Sequence, residues 1–193
     1  MASLSTASIA ELTSAQLKAM EVNDFKALTT DQIVALTDAQ MPSLTTDQVA
    51  GLTATQLAKV QTQDFAALTT DQIVALGTAQ IASITTAQVA NMTADQLKSV
   101  ELNDLAQFST AQISALTSAQ MPELTSAQIG KLDSAQIKAI EASEFGLLST
   151  AQIASLTTAQ ISAITTDQIR ALTANQVIAC LLYTSPSPRD AHE

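Results

Sequence analysis

The chain has 193 residues and a formal net charge of −10, and it is 47% hydrophobic although it holds only four Phe, one Tyr and no Trp. So few aromatic residues argue against one conventional large core, the acidic balance opposes sequence-independent binding to nucleic acid, which depends on Lys and Arg, and no stretch reaches the ~18 consecutive apolar residues of a membrane span. The single cysteine, tyrosine and histidine are Cys180, Tyr183 and His192, which leaves everything before position 180 without disulfide, thiolate or imidazole chemistry.

In chain order the start is read first. Met1-Ala2-Ser3 before Leu4 falls into register with Met41-Pro42-Ser43 before Leu44 and Met121-Pro122-Glu123 before Leu124. Met1 therefore reads as an internal methionine, and the array as cut at this end. From Leu4 to Ala179 the chain divides without a gap into eight-residue units, typified by Leu28-Thr29-Thr30-Asp31-Gln32-Ile33-Val34-Ala35. A repeat this regular decides the fold before any local assignment.

Position one of the octad is Leu, Ile, Val, Met or Phe, position two is usually Thr or Ser, position five is usually Gln, and position six is again apolar. Positions two and five have the spacing of a capping box, in which a Ser or Thr side chain accepts from the backbone N–H three residues on while a Gln there accepts from the cap's own N–H. Thr29 and Gln32, Thr45 and Gln48, Thr69 and Gln72, Thr125 and Gln128, and Thr157 and Gln160 are such pairs. The flanking apolar residues fit a hydrophobic staple, pairing Leu28 with Ile33 and Leu156 with Ile161. Asp31, Asp47, Asp71, Asp95 and Asp167 lie in the first turn, where the helix dipole favours a negative charge. Each octad thus predicts a short helix that starts afresh.

Three rivals stand against that reading. One continuous helix turns ~100° per residue, so an eight-residue period carries the apolar stripe ~80° round at each unit and leaves no common face. A β-solenoid needs turn residues at its corners, yet the chain has only Gly51, Gly77, Gly130 and Gly146, and its Ala and Gln favour helix. Disorder is opposed by the regular apolar positions. Pro42 and Pro122 fall at position seven, where a long helix is broken and a short one simply ends nearby.

Above the octad lies a second period of five octads, or forty residues. Every fifth unit replaces Gln by an acid, usually followed by Phe: Asp24-Phe25, Asp64-Phe65, Asp104-Leu105, Glu144-Phe145. Two explanations stand side by side. Five short helices make one superhelical coil and stack Phe25, Phe65, Leu105 and Phe145 in a column, or forty residues was the unit of gene duplication. Two aliphatic side chains do not offset the entropy of ordering eight residues, so each octad needs its neighbours, as in stacked repeats. Neither end carries a polar capping repeat, which again reads as a fragment.

The repeat stops at Cys180. The string Cys180 to Asp190 resembles the in-frame translation of a transposase adapter used in sequencing libraries, so residues 180–193 are set apart as an unstructured tail and residues 1–179 as a single repeat array.

No position stands apart as a nucleophile or base, because the repeat offers the same groups many times in nearly the same setting. No phosphate loop or calcium loop motif occurs, and no catalytic, cofactor-binding or metal residue is assigned. Asp24, Asp64, Asp104 and Glu144 form either a regular acidic row that binds cations or, the preferred reading, substitutes for the capping Gln. The Thr-Thr pairs raise an ice-binding reading, weakened because one Thr of each pair serves as a cap. Asn91-Met92-Thr93 matches a glycosylation sequon, with Asn91 simply at the variable eighth position.

The pattern Ala-Leu-Thr-Thr-x-Gln-Ile, as in residues 27–33 and 67–73, resembles arrays in very large bacterial repeat proteins described as surface-exposed or adhesin-like. The resemblance covers Leu4 to Ala179 and implies an extracellular or cell-surface spacer, with no catalytic or ligand residues to carry over. The expectation is an all-α solenoid of short capped helices, not an enzyme, that acts as a stalk or display scaffold in a larger protein. The alternative is a peptide- or protein-binding module using positions seven and eight, such as Lys59, Lys98, Lys131, Lys138 and Arg170; an ice-binding repeat is the third reading. Expected partners are another protein or a second copy stacked end to end, with no nucleic acid and no membrane span.

Overall fold

The structure, a computed structural model, describes residues 4–184, with side chains through Cys180. Among the described residues are twenty α-helices and two 3-10 helices, and no strand. The α-helices are four to six residues long except the last, which has eleven. The chain is an all-α solenoid of short helices, one per octad.

The octad explains its own geometry. The position-two residue is extended, as at Thr69 with φ −75° and ψ 161°, and the helix starts at the next residue. The N–H of position six then donates to the carbonyl of position two, as Ile73 to Thr69 at 3.0 Å. The helix closes when the next position-one residue donates back three residues, as Leu76 to Ile73 at 3.1 Å. That closing residue is itself extended, as at Leu52 with ψ 138°, which presents the following Thr53 as a new cap. With so few residues per helix, most backbone groups lie at a terminus and need capping. The two proline octads tighten instead into 3-10 helices, Met41–Ser43 and Met121–Glu123. There Pro42 and Pro122 sit where no intrahelical donor is needed.

The forty-residue period reappears as a rhythm of helix length. Six of the eight six-residue helices among the described residues come in adjacent pairs, Thr46–Gly51 with Ala54–Lys59, Thr86–Asn91 with Ala94–Ser99, and Ser126–Lys131 with Ser134–Ala139, with shorter elements in the octads between. Ser14–Ala19 and Thr166–Ala171 keep the same phase toward the two ends.

The chain separates into two compact units, residues 1–107 and 108–193. In the first, helices three octads apart pack together: Val22–Lys26 on Thr46–Gly51, Thr62–Ala66 on Thr86–Asn91, and Thr70–Val74 on Ala94–Ser99. In the second, Thr110–Ser114 packs on Ser134–Ala139, and Ala142–Phe145 on Thr166–Ala171. Positions one and six form the core, as the buried pairs Leu28 and Ile33, Leu68 and Ile73, and Leu124 and Ile129 show. Neighbouring turns approach closely: a Cβ added at Gly146 would lie 2.8 Å from the Ala171 carbonyl oxygen.

Packing at three octads decides against the coil of five, one of the two explanations of the forty-residue period. Phe25, Phe65 and Leu105 in the first unit and Phe145 in the second are all fully buried. A turn of between three and four octads, however, does not bring residues five octads apart into one column. The physical reason is filling. Two apolar side chains per octad fill the axis of a narrow ring, whereas a ring of five helices would leave a void that close-packed interiors do not tolerate.

The end of the array departs from expectation as well. The last helix, Ala174–Thr184, runs past Cys180 into the segment read as unstructured. The register places a cap at position 181, but the residue there is Leu181, which has no hydroxyl to start a new octad. The helix therefore continues. His192 and the remainder of the tail lie outside the described residues.

Candidate functional site

The polar centre of each octad is its glutamine. Thr29 N–H donates to Gln32 Oε1 at 2.8 Å while Gln32 N–H donates to Thr29 Oγ1 at 3.3 Å. The same two bonds measure 2.9 and 3.1 Å at Thr45 and Gln48, and 2.7 and 3.3 Å at Thr69 and Gln72. They measure 2.9 and 3.1 Å at Thr125 and Gln128, and 2.7 and 3.3 Å at Thr157 and Gln160. Gly77 has no hydroxyl, so only the return bond remains, from its N–H to Gln80 Oε1 at 2.9 Å.

The backbone of Gly77 already has cap geometry, φ −80° and ψ 162°, and an added Cβ meets nothing closer than Gln80 Oε1 at 3.7 Å. Gly77→Thr should therefore stabilise the chain by roughly 0.5 kcal/mol, from a better cap and a stiffer unfolded chain. An increase in the urea midpoint at unchanged slope would report it.

Sequence reasoning missed what the amide nitrogen does. Gln72 Nε2 donates to the carbonyls of Leu44 at 2.7 Å and Met41 at 2.9 Å. Gln88 Nε2 donates to Val60 at 2.8 Å and Leu57 at 2.9 Å. In the second unit Gln160 donates to Leu132 at 2.6 Å and Ile129 at 2.9 Å, and Gln168 to Ile140 at 2.7 Å and Ile137 at 2.8 Å. The acceptors lie 28 and 31 residues upstream. One of each pair lies within a helix and already accepts the N–H that closes it, as Leu57 does from Val60 at 3.1 Å, so the amide adds a second donor to it, and the other is the residue that opens the next octad. One buried side chain thus caps the start of its own helix and the end of a helix one turn of the solenoid earlier. The signal was present: a capping box accepts Glu as well as Gln, yet position five is almost always Gln, and only the amide can donate.

The acid-bearing octads work differently from the expectation that their acids replace the capping Gln. Their helices begin at Glu21, Gln61, Glu101 and Glu141, none of which makes a side-chain cap bond. Asp104 Oδ1 instead accepts from the Thr78 hydroxyl at 2.9 Å, 26 residues upstream. Glu144 accepts from the Ser143 hydroxyl at 2.6 Å, and Asp24 is half-buried. Asp64 faces Asp38 at the spacing that Asp104 has to Thr78. Burial pushes the Asp64 carboxyl above its ordinary value, the Asp38 charge adds to the rise, and a hydrogen bond from the Asp38 backbone N–H opposes it. The physical cause is that a carboxylate cannot donate to carbonyls as an amide does and can only accept, which Asp104 does from another turn and Glu144 from its own neighbour in sequence.

This shift sets a sign for pH dependence. A carboxyl whose folded-state pKa is raised contributes stability that is full below the unfolded value, near 3.9, and lost as pH rises through the folded value. Asp64→Asn should accordingly raise the thermal midpoint at pH 7, because it removes the charge that burial disfavours. The gain should shrink as pH falls toward the carboxylate range, which melts at several pH values would display.

The remaining candidates are surface features. Lys59, Lys98, Lys131, Lys138 and Arg170 are exposed at positions seven or eight of their octads, and Arg170 sits 3.4 Å from the equally exposed Asp167. The exposed Asn91 donates to the Ala87 carbonyl at 2.9 Å. Cys180 is a half-buried free thiol beside an apolar pocket lined by Ile161, Ile164, Ile169, Leu172 and Val177. Among the described residues no group of three or more His, Cys, Asp or Glu gathers in metal-binding range, and no helix is long and apolar enough to cross a membrane.

A family model, the ALTTAQ repeat, matches four times in tandem, at residues 17–54, 57–94, 97–134 and 137–174. The chain belongs to the ALTTAQ repeat family. Successive ALTTAQ matches begin forty residues apart and each spans one acid-bearing octad, so the five-octad super-period is the family's own repeat unit. No curated protein matches the chain.

Proposed function

We propose that this ALTTAQ array is a structural spacer, a stalk or display scaffold within a larger bacterial surface or secreted protein. The observation that carries the reading is the glutamine bridge. It uses the most buried polar group of nearly every octad to join one turn to the next, so the polar chemistry of the interior serves to hold the array together. Where positions seven and eight are exposed they carry unlike residues, Lys59, Asn91 and Arg170 among them, as a solvated scaffold surface permits. Placement at a cell surface and absence of catalysis belong to this reading through the resemblance of Ala-Leu-Thr-Thr-x-Gln-Ile to large bacterial surface arrays.

Small-angle scattering on arrays of two, four and six forty-residue units tests the spacer reading. A spacer has a maximum dimension that grows in proportion to the number of units, as a quasi-one-dimensional repeat does. Growth with about the 0.38 power of length, as for a globular domain, would refute it.

A further inference from the structure

The first unit contains one place where the repeat departs from its own polar pairing. Asp104 and its hydroxyl donor Thr78 are 26 residues apart, and the same spacing sets Asp64 against Asp38. Where the Thr78 hydroxyl donates to Asp104 Oδ1, an ionised Asp38 side chain has no proton to offer. Asp38 instead turns one carboxylate oxygen to the Ala39 N–H at 2.7 Å. Asp64 is 2% exposed, and its Oδ1 is buried with no hydrogen-bond partner. Both acids line a pocket of about 480 Å³ whose wall also carries Thr6, Thr37 and Gln63. A buried carboxylate oxygen without a partner, on a residue that lines a pocket beside a second carboxylate, calls for a positive charge.

We propose that this pocket binds a hard divalent cation of the calcium type, bridged by Asp38 and Asp64. Calcium takes six to eight oxygens in loose geometry and accepts carboxylate, amide, hydroxyl and water oxygens together. The residues that line the pocket include Gln63, Thr6 and Thr37, whose side chains carry amide and hydroxyl oxygens. With only two carboxylates the affinity falls in the range of weak extracellular sites, Kd about 10⁻⁴–10⁻³ M. The site belongs to this copy alone of the two comparable ones in the first unit, because the next copy replaces the second acid by Thr78.

The test uses the full chain in calcium chloride or in EDTA at matched ionic strength and pH 7, with thermal melts and calorimetric titration. Wild type should bind one calcium with a saturable isotherm, and its Tm should rise by about 3–6 °C at ten times Kd. Asp38→Thr rebuilds the pairing that Thr78 and Asp104 already make, so it should fold and melt normally in EDTA and lose the calcium response. Asp64→Asn should lose it too, whereas Asp104→Asn should keep it. The proposal fails if wild type shows no saturable response, or if the response survives Asp38→Thr, which would mark diffuse binding to an acidic surface. It also fails if lowering the pH stabilises wild type and calcium does not, the behaviour of two carboxyls that share a proton.

Discussion

Gln88→Glu should destabilise the array by about 3–5 kcal/mol at pH 7, although it exchanges only an amide for a carboxylate of the same shape and keeps the capping box intact. A glutamate oxygen still accepts from the Thr85 N–H, as Gln88 Oε1 does at 2.8 Å. The lost partner is the donor. Val60 and Leu57 each forfeit the amide hydrogen bond they receive at 2.8 and 2.9 Å, and an ionised oxygen takes its place against two carbonyl oxygens in a buried setting. An unpaired buried charge costs more than an absent neutral group. The defect should ease in acid, since the protonated carboxyl of the Gln88→Glu variant can again donate to one carbonyl. Its folded-state pKa is thereby raised, so stability is recovered as pH falls toward the ordinary glutamate range near 4.3. Thr85→Ala is the natural comparison, because it removes only the local cap bond from the Gln88 N–H at 3.1 Å and should cost about 1 kcal/mol. Urea midpoints for the two variants rank the bridge against the cap. Equal, small losses would mean that the bridge contributes nothing.

Phe65→Ala should cost about 3–5 kcal/mol, the range for emptying an aromatic site in a core. Phe65 is fully buried, on the helix Thr62–Ala66 that packs against Thr86–Asn91. Phe65→Leu should cost far less, roughly 1 kcal/mol, since the chain itself places the fully buried Leu105 at the corresponding position one forty-residue unit later. Because repeats contact mainly their neighbours, a weak point can melt locally and broaden the transition. The denaturant slope should therefore be reported beside the midpoint. An alanine variant as stable as the leucine one would show that the site collapses around the loss.

Gln88 and Phe65 mark the boundary of what the chain reveals before its structure. The helix starts are local physics: Thr85 and Gln88 stand three residues apart, and that spacing alone determines which groups can bond. Burial of positions one and six is equally local, because Leu68 and Ile73 flank the same cap. The partners of Gln88 Nε2 are not local. Nothing within one octad says that Leu57 and Val60 lie beside it, and the preference for Gln over Glu only says that some acceptor must exist.

The turn size escaped for the same reason. The forty-residue period of Phe25 and Phe65 is a unit of sequence and of helix length, whereas the turn is marked by glutamine bonds to carbonyls 28 and 31 residues upstream. Asp64 shows a third kind of miss. Its role depends on Asp38, a residue that looks ordinary in its own octad.

The contact that most directly tests the account is the one between a glutamine carboxamide and the preceding turn. In an NMR sample with selectively labelled glutamine, the Nε2 protons of Gln72 and Gln88 should show nuclear Overhauser effects to the residues whose carbonyls they meet, Met41 and Leu44 for the first and Leu57 and Val60 for the second. Those protons should also exchange slowly with solvent. Rapid exchange, or contacts confined to the same octad or displaced to residues forty positions away, would contradict a solenoid joined turn to turn by its glutamines.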